Sequence, residues 1–230
     1  MKPQRAAPTS APPARLPPIR PRPDVELCRR GEVRVERILA AATEVFLENG
    51  YRKAHLSDII SLAGGSLSTL YRAFGDKQGL AHAIMKDSIH AFGQGLASLQ
   101  ETTLPPEEAL AIATDLMLEE MLTPGHIVTH HIVVAEGAEF PELRDWFMTH
   151  GVQTAERSLA RYFARETVAG RLVVTSPELA AKHFFIMVFG SLIIHSASGY
   201  IAQYDRKQLR AETREALAIF LRGVLPATRP

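Results

Sequence analysis

Apolar residues recur every three or four positions from Glu32 onward. Ile38, Leu39, Ala42, Val45 and Phe46 form one stripe, as the buried face of an amphipathic helix must. Gly50, after Glu48 and Asn49, supplies the stop. Two short segments follow, 56–63 with Leu56, Ile59, Ile60 and Ala63, and 66–74 with Leu67, Leu70, Tyr71 and Phe74. Gly64-Gly65 separates them, and Gly75-Asp76 ends the second. A long helical pattern then runs from 76 to about 100. Further stretches cover 107–122, 125–137, 142–169, 177–200 and 205–225, broken at Thr123-Pro124-Gly125, Phe140-Pro141, Gly170, Ser176-Pro177 and Gly199. No alternating run is long enough for a strand, and Val173-Val174 is the only β-leaning pair. The pattern predicts an all-α fold of about nine helices.

Composition narrows this picture. The 230 residues are 46% hydrophobic, enough for one large domain or for a small and a medium one. The net charge is +1, so any nucleic-acid role has to rest on a local patch. Residues 1–30 stand apart, with eight prolines between Pro3 and Pro23 and basic residues outweighing Asp24 and Glu26. Proline removes backbone donors, and few apolar groups are present to offset ordering entropy. The segment reads as a disordered, Pro/Arg-rich tail, either a solvated leader or an arm that reaches DNA phosphates. Cys28 is the single cysteine, so no intramolecular disulfide forms and a reducing cytoplasm is expected. The N-terminus lacks the apolar core of a signal peptide. The longest apolar run, Phe184 to Ile194, is about half of a membrane span, which predicts a buried helix and no membrane association.

The two short segments carry the chemistry. Two helices of about two turns, joined at glycine, are the layout of a helix-turn-helix. Ile59 and Ala63 brace the second helix, and Gly64 tolerates a left-handed backbone in the turn. Leu70 and Phe74 face inward, while Ser66, Ser68, Thr69 and Arg72 are placed to meet base edges. Ser66 also suits the N-cap.

The stretch from Arg37 to Met85 resembles the TetR family of transcriptional regulators. The resemblance rests on an alanine-rich first helix ending in phenylalanine, the Glu48-Asn49-Gly50-Tyr51 corner, and Asp58-Ile59. It continues through Ala63-Gly64, Ser66, Thr69-Leu70-Tyr71, Phe74 and Asp76-Lys77. It implies a three-helix DNA-binding domain over 31–78, with the helix-turn-helix at 55–74, and a ligand-sensing and dimerisation bundle over 79–225. It implies base or phosphate contacts from Ser66, Leu67, Ser68, Thr69, Tyr71 and Arg72, with Lys77 on phosphate. Further on, Ile132 to Gly137, Phe140-Pro141-Glu142-Leu143, Gly151, Leu159 and Gly170-Arg171-Leu172 look like the C-terminal domain of AefR-like members.

Three departures stand out. Gly65 replaces a β-branched residue, which loosens the turn. Leu67 replaces a basic or polar residue and suits a thymine methyl. Ala54 and His55 stand where hydroxyls usually open the first short helix, leaving Ser57 as the alternative cap. These departures are also what supports the rival reading, a helical adaptor without DNA binding.

The resemblance implies a homodimer on a palindromic operator of double-stranded DNA, released by a small, largely apolar ligand, with the helix from 76 to about 100 transmitting the change. Repression is the family's common outcome, and activation stays open. Candidate ligand contacts are Met117, Met121, His131, Trp146, Phe147 and Phe185. The dimer is expected through 177–200 and 205–225, with Phe184, Phe185, Met187, Val188 and Ile194 as the apolar groups. His126 and His130, four apart, could pair on a metal, but no third ligand is identifiable and a core-lining role is preferred. No phosphate loop, dinucleotide glycine motif or nucleophile elbow appears, so neither an enzyme nor a cofactor is expected.

Overall fold

The computed structural model describes residues 29–200 and 205–226. Cys28 and all but the last two residues of the expected tail lie outside the described residues. Arg29 and Arg30 already belong to the first helix.

Ten α-helical segments follow one another, and no strand occurs among the described residues. They are α1 (Arg29–Lys53), α2 (Leu56–Ala63), α3 (Leu67–Phe74), α4 (Lys77–Glu101), α5 (Pro106–Met121), α6 (Pro124–His130), α7 (Pro141–Phe147), α8 (Gln153–Val168), α9 (Pro177–Ala197) and α10 (Arg206–Val224). α6 runs on into a π-helical turn, His131–Ala135, and a second π-turn, Met148–Val152, joins α7 to α8 without a break. The ten segments therefore make nine continuous rods, the architecture that the periodicity predicts.

Helix ends follow local chemistry. Ser66, Asp76, Thr123, Ser176 and Asp205 each accept a backbone N–H in the first turn of the helix they open. Proline fills the first position of α5, α6, α7 and α9, where its missing N–H costs nothing. Gly50 has φ 73°, which kinks α1 one turn before its end. At Gly79 a Cβ would lie 1.8 Å from the Phe74 carbonyl oxygen, so only glycine lets α4 start this close to the end of α3.

Two apolar clusters hold the rods. One joins α1, Ile59 of α2, Leu70 of α3 and the first turns of α4 (Leu80, Ala81, Ile84, Met85) to Val128, Ile132, Val133, Leu143 and Phe147. The other joins the far end of α4 (Leu96, Leu99) to α5, α8, α9 and α10, around Tyr162, Phe163, Phe184, Phe189 and Phe220. The first core crosses the expected division after residue 78 and is closed from the other side by α6 and α7. α4 passes through both cores. Its far end is fixed by Arg165, whose guanidinium donates to the carbonyls of Leu99 (2.8 Å) and Gln100. The buried Glu166 carboxylate takes Arg165 and Arg171 together. Those two bonds, the one from Arg171 foremost, hold it below the usual carboxylate range against the opposing effect of burial.

α9 carries apolar residues on every side, with Lys182, His183 and Ser191 among the exposed ones. Phe184, Val188, Phe189 and Leu192 point into its own protomer's core. Leu179, Ile186, Met187 and Ile194 point outward, Ile186 71% and Ile194 65% exposed. Of the expected interface set, Phe184 and Val188 belong instead to the protomer core, whereas Met187 and Ile194 do point outward, together with Leu179 and Ile186. By length and composition alone, Pro177–Ala197 is long and apolar enough to cross a membrane, more than the eleven-residue run of the sequence reading suggests.

Candidate nucleic-acid interface

α2 and α3 meet at a turn in which two successive glycines have positive φ, 69° at Gly64 and 129° at Gly65. A β-branched residue at position 65 would be strained there, so the second glycine sets a turn of its own and is more than a looser copy. Leu70, fully buried, anchors α3 to α1 and α4. Its neighbours turn outward. Ser66, Leu67, Ser68, Tyr71 and Arg72 are exposed, and Thr69 is half-buried.

The first turn of α3 carries its own hydroxyl network. The Ser66 hydroxyl accepts the Thr69 N–H at 3.4 Å and lies 2.8 Å from the Ser68 hydroxyl and 3.2 Å from that of Thr69. Short polar groups are thereby presented at the positive end of the helix, an end that favours anionic groups. Tyr71 and Arg72 extend this face by one further turn. α2 opens differently. His55 stands at its N-cap without a side-chain bond, and Ser57 donates to the Asp58 carboxylate at 3.2 Å. Ser57 is thus not the substitute cap that the sequence suggests.

Lys77 is placed otherwise than expected. Its ammonium donates to the carbonyls of Tyr51 (2.9 Å), Arg52 (3.0 Å) and Ala54 (3.1 Å) and lies over the Tyr51 ring, 4.9 Å from its centroid. All three protons are used in closing the end of α1. Burial lowers its pKa, while Glu136 opposes that shift. The same corner is held from its other side. The Glu136 carboxylate accepts the N–H groups of Tyr51 (3.0 Å) and Arg52 (2.9 Å), donors released by the kink at Gly50. His131 lies 3.3 Å from the same carboxylate and 3.1 Å from the Ala197 carbonyl at the end of α9. An ordinary α-turn puts residues five apart well away from each other, and the π-turn brings His131 and Glu136 onto one face. A polar chain therefore runs from α9 to the reading head.

The six expected ligand contacts do not converge. Met117 and Met121 are core residues beside α4 and α8–α10. Trp146 stacks on His150 (4.8 Å between centroids) and meets His82 edge-on. Phe185 and Phe147 end a row of rings, Phe185–Phe92–His126–His130–Phe147, with centroids 5.0 to 6.3 Å apart. His131 lies in the wall of a separate cavity. His126 and His130, expected from the sequence as core-lining, form the centre of that row. His126 and His130 are buried, and the Nδ1 of each has no hydrogen-bond partner. Burial pushes their pKa values down, to about 3 for His126, which also feels His130, and to about 4 for His130. Among the described residues no group of three or more His, Cys, Asp or Glu side chains could hold a metal ion.

These imidazoles make acid stability a direct test. Their folded pKa values lie below the unfolded value of about 6.5, so the unfolded chain binds more protons in the window between. Stability should be full above about pH 6.5 and fall toward pH 4, by up to about 1.4 kcal/mol per pH unit for each imidazole. Urea midpoints measured from pH 7.5 to 5 should drop for the native chain and flatten in a His126→Phe/His130→Phe variant. Equal slopes in the two would refute the assignment.

Comparison with known proteins fits this geometry. Residues 38–84 match the family model of bacterial regulatory proteins of the tetR family, and residues 108–223 match the C-terminal domain of AefR-like transcriptional repressors. The HTH-type transcriptional regulator YvkB of Bacillus subtilis is 28% identical over 191 residues, 82% of this chain and 96% of YvkB. A TetR-family regulator from Mesorhizobium loti has a similar fold, with TM-score 0.72 and 20% identity over 86% of this chain and all of that one. The flavonoid-responsive regulator FrrA aligns with TM-score 0.55 and 25% identity over 85% of this chain and 98% of its own.

Proposed function

The chain belongs to the TetR family of transcriptional regulators, and from that premise we propose that it is a ligand-released repressor binding a palindromic DNA operator as a homodimer. The observation that carries the proposal is α3, anchored by one buried leucine, with hydroxyls, an aromatic ring and a guanidinium on its outer face. Ser66, Leu67, Ser68, Thr69, Tyr71 and Arg72 are assigned to DNA, and Lys77 reaches phosphate only by giving up a carbonyl. The protein works as a soluble cytoplasmic regulator without enzymatic activity.

The exposed stripe of α9 supports the homodimer. Packed on its copy across a two-fold axis, it would set two α3 helices roughly 34–36 Å apart, one turn of DNA. The row of rings supports a small, largely apolar ligand within the sensor. A ligand that wedges between Phe92, Phe147 and Phe185 would find two acceptors or donors in His126 and His130. FrrA, by its name, responds to flavonoids, and that agrees with a small-molecule ligand for this chain. Such a ligand releases DNA only to the extent that it prefers the head spacing that DNA does not.

Selection of binding sites from random duplex DNA tests the reading. The expected result is a palindrome whose half-sites lie about one helical turn apart. Tyr71→Ala should weaken binding to it while leaving the protein dimeric and folded. Failure to enrich any sequence, with the chain folded, would favour the adaptor reading.

A further inference from the structure

A cavity of about 450 Å³ lies where four rods meet, away from the row of rings. Phe46 and Leu47 of α1 form one wall, and Leu122, Ile127 and Val128 another. Polar groups lie on a third side. Ser196 is 1% exposed and its hydroxyl has no partner, His131 belongs to the lining, and Arg206 lies at the exposed rim. Arg206 shares the Glu119 carboxylate with Arg210, so one carboxylate serves two guanidinium groups. The volume lies within the range of small-molecule sites, and an apolar body with few convergent donors is their usual lining.

We propose that this cavity is an effector site for a monoanionic amphipath, an apolar chain or ring system bearing one carboxylate, distinct from the site among the aromatic rings. The apolar walls take the body. Arg206 and the Ser196 hydroxyl take the carboxylate, since a guanidinium fork matches carboxylate geometry and a buried hydroxyl without a partner gains a bond.

The position gives the site a readout. Its α1 wall ends three residues before the kink at Gly50, and its His131 wall bonds Ala197 and contacts Glu136, which holds the corner beyond. A ligand that parts α1 from α6 therefore acts on the contacts that set the reading head. The link to DNA rests on the function proposed above, and the binding itself does not.

Decanoate and decanol, equal in chain and different in charge, are the probes. Calorimetric titration of the full chain should show decanoate binding at one site per protomer, with decanol at least about tenfold weaker. Arg206→Gln, a rim change, should weaken decanoate about tenfold, and Ser196→Phe, which fills the cavity, should abolish it. Decanoate should also lower affinity for the selected DNA about tenfold, a typical coupling between sites. The proposal is overturned if decanoate does not bind, if decanol binds equally well, or if a folded Arg206→Gln chain binds decanoate unchanged. It is overturned as an effector site if decanoate binds without changing DNA affinity. A chain that selects no DNA but binds decanoate as described removes the regulator reading and leaves the site standing.

Discussion

Aspartate placed at both Ile186 and Ile194 should leave a folded protomer, split the dimer into monomers and cut operator affinity by about 10² to 10⁴. Both side chains are mostly exposed and lie on the outward face of α9 with Leu179 and Met187, so neither change touches the core formed by Phe184, Val188, Phe189 and Leu192. A two-fold axis counts every substitution twice, and four carboxylates brought into an apolar seam cannot be compensated there. Operator affinity falls further than one lost contact implies, because a dimer engages its second half-site at the effective concentration set by the first. Sedimentation velocity at micromolar concentration, with DNA anisotropy on the same samples, reads both effects. A variant that stays dimeric places the interface elsewhere. A native chain that is already monomeric removes the dimer altogether.

Lys77→Met should lower the melting temperature by several degrees, corresponding to about 2–3 kcal/mol, and leave the salt dependence of the remaining DNA binding unchanged. The ammonium joins three carbonyls of the α1 corner, and methionine fills the space while leaving all three without it. Hydrogen bonds to charged groups contribute about 1.5–3 kcal/mol each, and partial access to water reduces the sum. A phosphate contact gives the opposite pattern: unchanged stability, with a salt slope shallower by about one unit. The two readings of this residue therefore separate in a pair of simple measurements.

Rods and reading helix were legible because their signals are local. A glycine at a turn, a hydroxyl at an N-cap and a three-four spacing each act within a few residues, and the family's motif adds fixed spacing to them. The double-glycine turn was legible as a departure, though not in its conformation. What escaped has no local signature. The bond of Lys77 to Tyr51, Arg52 and Ala54 spans more than twenty residues and depends on the kink at Gly50. The pairing of His131 with Glu136 needs a π-turn, which no periodicity announces. Met187 and Ile194 lie outward on α9 as expected, but Phe184 and Val188 do not, because a helix with apolar residues on every side shows no preferred face and Phe184 and Ile186 look alike until neighbouring rods are in place. The sequence prefers a core-lining place for His126 and His130, and both are buried, yet their position at the centre of a ring row follows only from where Phe92, Phe147 and Phe185 come to stand.

The core that crosses residue 78 bears on how this protein can be re-engineered. Regulators of this kind invite chimeras, in which one reading head is spliced onto another sensor to rewire which signal controls which gene. A splice inside the first turns of α4 would sever Leu80, Ile84 and Met85 from the surfaces of Val128, Ile132, Leu143 and Phe147 that enclose them. The transplanted head would arrive with its floor missing, and Glu136 would no longer wait at its corner. A working graft has to carry the inner faces of residues 128–147 with the head, so the interchangeable part is a surface drawn from two distant stretches of chain.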